Sequence, residues 1–481
     1  MRKLSFFVIL LLAFAGCTKD EGVVTKDNFT VILVQGIYDV SLIWTSVKGY
    51  PSEKVTFSIF LGDSLIADSL PSRSFVISNL REKTSYDGRI EAFYNNRLIG
   101  THLFSFITLE DQPPSQFNIR EIAVSRTTVD FKWEESLDPE NKAVVYDIYI
   151  DEKLKFSGLN GLSFSLSGLM PSVNYKVGIA ARDSTGNTAK LNFEFRTIQS
   201  ANSLLVHRFF KYQGYNREMA WYMPVSADTS DKMPLVFYLH GANGNAWHEI
   251  RSTGLRAIAD REKFILLMPQ ALLGAYNGES LFQWNAHYIF PWDDVSLMNY
   301  IIDYMYSRYR VDLSKVFVCG MSNGGFMTFF ASRGLQERIA AIAPISGLIS
   351  TNVFNSFSLN RSMPLCYMHG TADEIVPIDG SPSATDVIDF WKENNNCTTN
   401  PQITQLPDLV PGDNSTVTLF QYNGYFPSSE IQFYRINGGN HSVPGNEPGA
   451  NMDIDAYEVI WSFFKRHSYP DHQTGTIVDT K

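Results

Sequence analysis

A serine set between glycines, Gly320-Met321-Ser322-Asn323-Gly324, offers a hydroxyl on a turn too tight for larger neighbours. A GxSxG pentapeptide alone arises often by chance, but its setting sharpens it. The Val-rich run from Lys315 to Gly320 reads as a strand, and the residues from Asn323 onward read as a helix. A serine on such a strained bend stands in the open with the positive helix end beneath it, as a nucleophile must and a bland turn serine need not. Its hydroxyl reacts poorly at neutral pH without a base in reach and an acid to orient that base. Of nine histidines, His441 follows the last apolar strand in GGNHSVPG, where Gly438 and Gly439 free the backbone to aim it. His467 falls within an amphipathic helix and His472 in a polar tail; His240 and His369 each precede a glycine at a strand end, where a structural hydrogen bond is expected. Asp373, in HGTADEIVP just past the strand PLCYMHG, is the expected acid, ahead of Glu374 and Asp379; its competing role is to cap the loop. The tetrahedral oxyanion needs backbone donors. Asn323 N–H supplies one, and the loop His240-Gly241-Ala242-Asn243-Gly244 supplies the other, most simply from Ala242. That loop carries no GK[ST] or GxGxxG pattern for phosphate.

These groups require a scaffold that brings four distant stretches to one edge. After Ser200 a leading hairpin (204–212, 219–225) precedes apolar strands at 234–240, 264–269, 315–320, 340–347, 364–370 and 431–438. Helical patterns fall at 294–309, from 323, near 384–396 and over 453–467. This alternation predicts a parallel sheet covered on both faces, with the chemistry at the carboxyl ends of its strands. The order serine, aspartate, histidine is that of the α/β-hydrolase fold, not of chymotrypsin or subtilisin.

Residues 29–197 instead alternate with period two and turn every 8 to 12 positions, as in a β-sandwich. They also repeat: Trp44, Phe57, Phe75, Leu80, Tyr86, Ala92, Phe106 and Thr108 recur as Trp133, Tyr146, Phe164, Leu169, Tyr175, Ala181, Phe195 and Thr197, always 89 positions later. The second copy, with Trp133, Tyr146 to Tyr149 and Leu169-Met170-Pro171 before Tyr175, resembles a fibronectin type III domain. Tyr175 would be its corner tyrosine. The first copy keeps Leu80 and Tyr86 but lacks the proline. Such modules space an enzyme or bind sugar, and spacing is the expected role.

MRKLSFFVILLLAFAGC at the start pairs two cations with an apolar run too short to span a bilayer. It resembles a bacterial lipoprotein signal cleaved before Cys17, which would carry the acyl chains; a plain secretory signal with an incidental Cys17 is the alternative. The expectation is an extracytoplasmic protein held on the membrane only by that anchor, at the outer membrane, in the periplasm or on the cell surface. The expected boundaries are a signal over 1–16, a linker over 17–28, fibronectin type III-like domains over 29–109 and 112–198, a hydrolase domain over 203–467 and a polar tail over 468–481. The fold class is thus two all-β sandwiches followed by an α/β-hydrolase domain.

Composition narrows the functions. With 44% hydrophobic residues in 481 and only 19% charged, the chain can bury several cores and is not disordered. A net charge of −10 disfavours nucleic acid, and four cysteines without CxxC or Cys/His spacing disfavour structural zinc. Neither a metal nor a cofactor is expected.

PLVFYLHGANGN, IADREKFILLMPQ, DDVSLMNYIIDYM, VFVCGMSNGGFM, IAAIAPISG, PLCYMHGTADEIVPIDG and INGGNHSVPG together resemble the polyhydroxybutyrate-depolymerase-like esterases, a family that includes feruloyl and acetyl-xylan esterases. The resemblance covers about residues 203–467 and implies Ser322, Asp373 and His441 as the triad. It departs at Ser442-Val443, where the family usually has an aromatic after the histidine, and in an unusually aromatic loop over 274–292. In that loop Tyr276, Trp284 and Trp292 are candidate walls for an aromatic acyl group or a sugar, or else packing beneath a cap. Asp294 is expected as a helix N-cap, and Cys319 and Cys366 as buried thiols. The implied activity is a serine esterase removing feruloyl or acetyl groups from an ester-bearing polysaccharide or oligosaccharide. A polyester depolymerase and an inactive glycan-binding lipoprotein are the alternatives. The sequence bears no signature of oligomeric state.

Overall fold

The computed structural model describes residues 28–469 apart from 226–231, 277, 398–399, 425–428 and 448. The signal segment, Cys17 and residues 470–481 of the tail lie outside the described residues. Among those described, no helix is long and apolar enough to cross a membrane. Packing divides the chain into two units, residues 1–114 with 138–143 and 183–187, and the remainder.

The first unit holds a β-sandwich. A three-stranded sheet (Val31–Gln35, Asp39–Trp44, Ser74–Ser78) faces a four-stranded one (Ser64–Leu70, Val55–Leu61, Ser85–Tyr94, Arg97–Ile107). Alternation sends Val40, Leu42 and Trp44 of one sheet inward against Phe57 and Ile59 of the other, with the Trp44 and Phe57 rings 5.3 Å apart. Tyr86 Oη accepts the Arg81 amide at 2.9 Å, so the corner forms without the proline.

The second unit opens with the same arrangement 89 residues on. Trp133 meets Tyr146 at 5.3 Å, and Tyr175 Oη accepts the Met170 amide at 2.9 Å. This sandwich does not end where the hydrolase begins. Its strand Ile119–Val124 pairs antiparallel with β1 (Ser203–Tyr212), setting Val124 opposite Leu205 and Glu121 opposite Arg208, an ion pair at 2.8 Å. Among the described residues, the second sandwich and the hydrolase domain thus share one continuous sheet of 13 strands. Two edge strands that would each expose unpaired N–H and C=O groups cover one another instead.

Within that sheet, β1 and β2 (Tyr215–Pro224) form the leading hairpin, and β2 lies antiparallel to β4 (Ile265–Pro269). From β4 the order runs parallel through β3 (Met233–Leu239), β5 (Val311–Met321), β6 (Ala341–Ile345), β7 (Leu365–Gly370) and β10 (Ile431–Asn437). The antiparallel β9 (Thr416–Tyr422) and β8 (Gln402–Gln405) close the edge. The parallel strands are mostly apolar where both faces are buried, as over 235–239, 265–268, 316–319 and 341–345. Leu235, Phe237 and Leu239 enter one core layer with α3 (Asp294–Arg308) and α5 (Ala384–Asn394), whereas Val236 and Tyr238 enter the other with α1 (Ala246–Ser252), α2 (Leu255–Glu262) and α6 (Ala456–Phe464). Cys319 and Cys366 are buried free thiols.

Candidate active site

The strand β5 ends at Met321, and α4 (Asn323–Gly334) begins two residues later, leaving Ser322 to make the whole turn at φ 57° and ψ −122°. A non-glycine residue at positive φ is strained by about 1–3 kcal/mol and persists where its surroundings fix it. Here the Ser322 amide donates to Ile345 O and its carbonyl accepts from the Phe326 amide, both at 2.9 Å. A Cβ on Gly324 would lie 2.0 Å from Leu239 O, and one on Gly320 2.6 Å from Gly324 O, so both flanking glycines are required by close backbone approach.

Asp373 lies in the loop after β7. Its Oδ1 accepts the amides of Ile375 (3.0 Å) and Val376 (2.8 Å), while Oδ2 accepts His441 Nδ1–H at 2.7 Å. Burial pushes the Asp373 carboxyl up, but the bonds from His441 and the Val376 amide outweigh it and hold the group below its ordinary range. Because Nδ1 carries that proton, His441 Nε2 presents a lone pair. The acid and base loops are stitched together: Ala372 N donates to Gly439 O at 2.9 Å, and Gly438 N to Thr371 Oγ1 at 2.8 Å. Both follow adjacent parallel strands at the edge where β5 delivers Ser322. No hydrogen bond joins Ser322 to His441 among the described residues; such contacts often close only with substrate in place.

The two candidate oxyanion donors are the amides of Ala242 and Asn323. Gly241 approaches so closely that a Cβ there would be 3.4 Å from Ser322 Cβ, which puts Ala242 one residue from the hydroxyl's own turn. Among the described residues the Ala242 and Asn323 amides have no acceptor. The Ala242 loop is held by three hydrogen bonds to Phe282 and Gln270. Asn243 N donates to Phe282 O (2.7 Å), Gln270 Nε2 donates to Gly244 O (3.0 Å), and Gln270 Oε1 accepts the Ala246 amide (2.8 Å).

His240 and His369 play structural parts. His240 Nδ1 donates to Gly241 O at 2.7 Å and Nε2 accepts the Ala271 amide at 3.1 Å, a neutral ring whose pKa burial pushes down to about 4. His369, also lowered by burial, bonds Tyr367 Oη and Val376 O, with Nε2 3.5 Å from Asp373 Oδ2.

The aromatic loop is arranged differently from expectation. Trp284 is fully buried: its indole N–H donates to His240 O at 2.9 Å and its amide donates to Asn323 Oδ1 at 2.6 Å. It therefore positions Asn323 from behind and cannot be a substrate wall. Trp292 is also buried, stacked on Phe290 at 4.3 Å. The Tyr276 side chain lies outside the described residues. Among the described rings of the loop, the most exposed are Tyr288 (69%) and Phe282 (37%). Asp293, not Asp294, caps α3, accepting the Ser296 amide at 3.0 Å. Asp294 instead forms a buried ion pair with Arg217 at 2.8 Å and accepts the Asn285 amide, and the Asn285 side chain in turn organises the loop through Phe290 O and Trp292 O. Neither Arg217 nor Asn285 had a signal in the sequence, since their partners are 77 and 5–7 positions away and follow no motif.

Comparison with known proteins finds similarity to ester hydrolases. The profile of a family described as Phospholipase/Carboxylesterase matches residues 222–404, a span that includes Ser322 and Asp373. A bifunctional acetylxylan esterase/xylanase of Neocallimastix patriciarum is 25% identical over 259 residues, covering 54% of this chain and 34% of that protein. Feruloyl esterase D of Neurospora crassa is 26% identical over 174 residues, covering 36% of this chain and 56% of its own. The chain thus spans about a third to about half the length of these relatives. Among solved structures, an acetyl xylan esterase from Aspergillus awamori aligns at 16% identity and a TM-score of 0.37, over 52% of this chain and 94% of its own. The carboxyl-terminal domain has the α/β-hydrolase fold and is similar in sequence to carboxylic ester hydrolases.

Proposed function

We propose that this chain is a serine carboxylic-ester hydrolase acting on feruloyl or acetyl esters of plant polysaccharide. The observation that carries the reading is the Asp373–His441 pair at 2.7 Å, on the sheet edge where a glycine-flanked bend presents Ser322. Ser322 Oγ attacks the ester carbonyl as its proton passes to His441 Nε2, and Asp373 stabilises the imidazolium that forms. The amides of Ala242 and Asn323 receive the oxyanion. Collapse expels the sugar alcohol with the proton from His441. Water then loses a proton to His441, attacks the acyl-enzyme and releases the acid, regenerating the Ser322 hydroxyl.

The relatives support the substrate class, one being an acetylxylan esterase/xylanase and the other a feruloyl esterase. The same reading places the enzyme outside the cytoplasm, tethered by an acylated Cys17, and takes both sandwiches as fibronectin type III-like domains. Initial rates on methyl ferulate, acetylated xylan and hydroxybutyrate oligomers, each with wild type and Ser322→Ala, test it. The expected result is turnover of one of the first two that Ser322→Ala abolishes. Turnover confined to hydroxybutyrate oligomers would replace the substrate class, and activity surviving in Ser322→Ala would remove the mechanism.

A further inference from the structure

The continuous sheet leaves a groove of about 950 Å³ between the second sandwich and the hydrolase domain. Leu191 and Phe193 of the sandwich form one wall, and Phe209 and Lys211 of β1 the other. Its far end is Phe282, whose carbonyl holds Asn243 in the candidate oxyanion loop, only two residues from Gly241 against Ser322. The strand pairing of Ile119–Val124 with β1 fixes the two walls in register, so the groove is a built feature of one unit.

Its lining mixes two chemistries. Phe209 and Phe282 are each 37% exposed and give the groove apolar faces. Exposed Arg120, Glu134 and Lys211 add donors and an acceptor along the rim. Of the other ionisable groups lining it, Arg217 is paired with Asp294 and Glu218 contacts His207 Nε2 at 2.9 Å. A pyranose chain suits such a surface: its C–H faces stack on phenyl rings and its hydroxyls replace the water on the polar rim. Glu134 Oε2 accepts from Asn118 Nδ2 at 3.2 Å, which leaves Oε1 to accept a sugar hydroxyl that a polyester backbone lacks.

We infer that this groove binds the sugar backbone of an esterified, uncharged polysaccharide and leads it to Ser322, so that the second sandwich is part of the substrate site rather than a spacer. The direction toward Ser322 rests on the esterase reading; the binding itself does not.

The test is calorimetric titration of unesterified xylohexaose into the full chain, with p-nitrophenyl acetate turnover measured alongside. Saturable binding is expected, weakened about tenfold by Phe209→Ala, the value of one lost stacking contact. The exposed Arg120→Ala should weaken it as well, and acetate turnover should be unchanged in both variants. Absence of binding to wild type, or affinity in both variants unchanged from wild type, would overturn the groove. Binding without any acetate turnover would leave the groove standing and refute the esterase reading instead.

Discussion

Replacing Asp373 with asparagine separates the orienting role of this residue from its role in the fold. Its Oδ1 accepts two backbone amides, at 3.0 and 2.8 Å, and its Oδ2 accepts His441 Nδ1–H at 2.7 Å. An asparagine keeps the two amide bonds only by leaving its carbonyl oxygen on them, which turns its NH₂ toward His441. His441 Nδ1 must then accept, the ring proton moves to Nε2, and the nitrogen that should receive the Ser322 proton is blocked. Reversing the amide would set an NH₂ against two N–H donors, forfeiting two bonds of about 1 kcal/mol each and leaving both donors unpaired. Loss of the correct tautomer costs a serine hydrolase about 10⁴ in kcat, equivalent to about 5.5 kcal/mol in the barrier. Folding should lose only about 1–2 kcal/mol, as a charge-assisted bond becomes a neutral one. The assay is p-nitrophenyl acetate turnover with thermal denaturation on the same preparation. A folded Asp373→Asn protein that retains kcat within about tenfold of wild type would refute the reasoning.

Other expectations follow from packing and charge. Arg217→Met strands the buried Asp294 carboxylate and should destabilise the protein by about 3–5 kcal/mol in urea denaturation. Gly324→Ala forces a methyl group to 2.0 Å from Leu239 O, backbone that cannot give way; about 3 kcal/mol or more should be lost, visible as a lowered melting temperature. Burial raises the Glu249 carboxyl from 4.5 to about 7, so its contribution to stability is complete below about pH 4.5 and is lost as pH rises toward 7. Glu249→Gln should therefore be more stable than wild type above about pH 7, by up to about 3 kcal/mol, and lose that advantage near pH 4.5.

The sequence disclosed elements wherever burial on both faces or strict alternation imposed a pattern. Strands β3 to β7 are apolar runs between turn residues, and the sandwiches announce themselves through a repeat that holds down to the amide bonds of Tyr86 and Tyr175. Ser322, Asp373 and His441 were visible because each follows a strand in a glycine-containing loop. What escaped was contact between distant segments. The pairing of Ile119–Val124 with β1 joins two runs that each look like ordinary edge strands, and no local residue marks it. The aromatic loop misled for a related reason: residue type does not say which ring faces solvent. Trp284 is needed behind Asn323 and is buried, whereas Tyr288 and Phe282, equally aromatic, are exposed. Asp293 and Asp294 are chemically identical neighbours, and only the helix start decides that the first caps and the second pairs with Arg217.

The proposed chemistry rests on Ser322 being activated by His441. Reaction of the native protein with a fluorophosphonate, followed by peptide mapping, tests this most directly. One adduct is predicted, on Ser322, formed far more slowly in His441→Ala. An adduct on another residue, or an equal rate of labelling without His441, would contradict it.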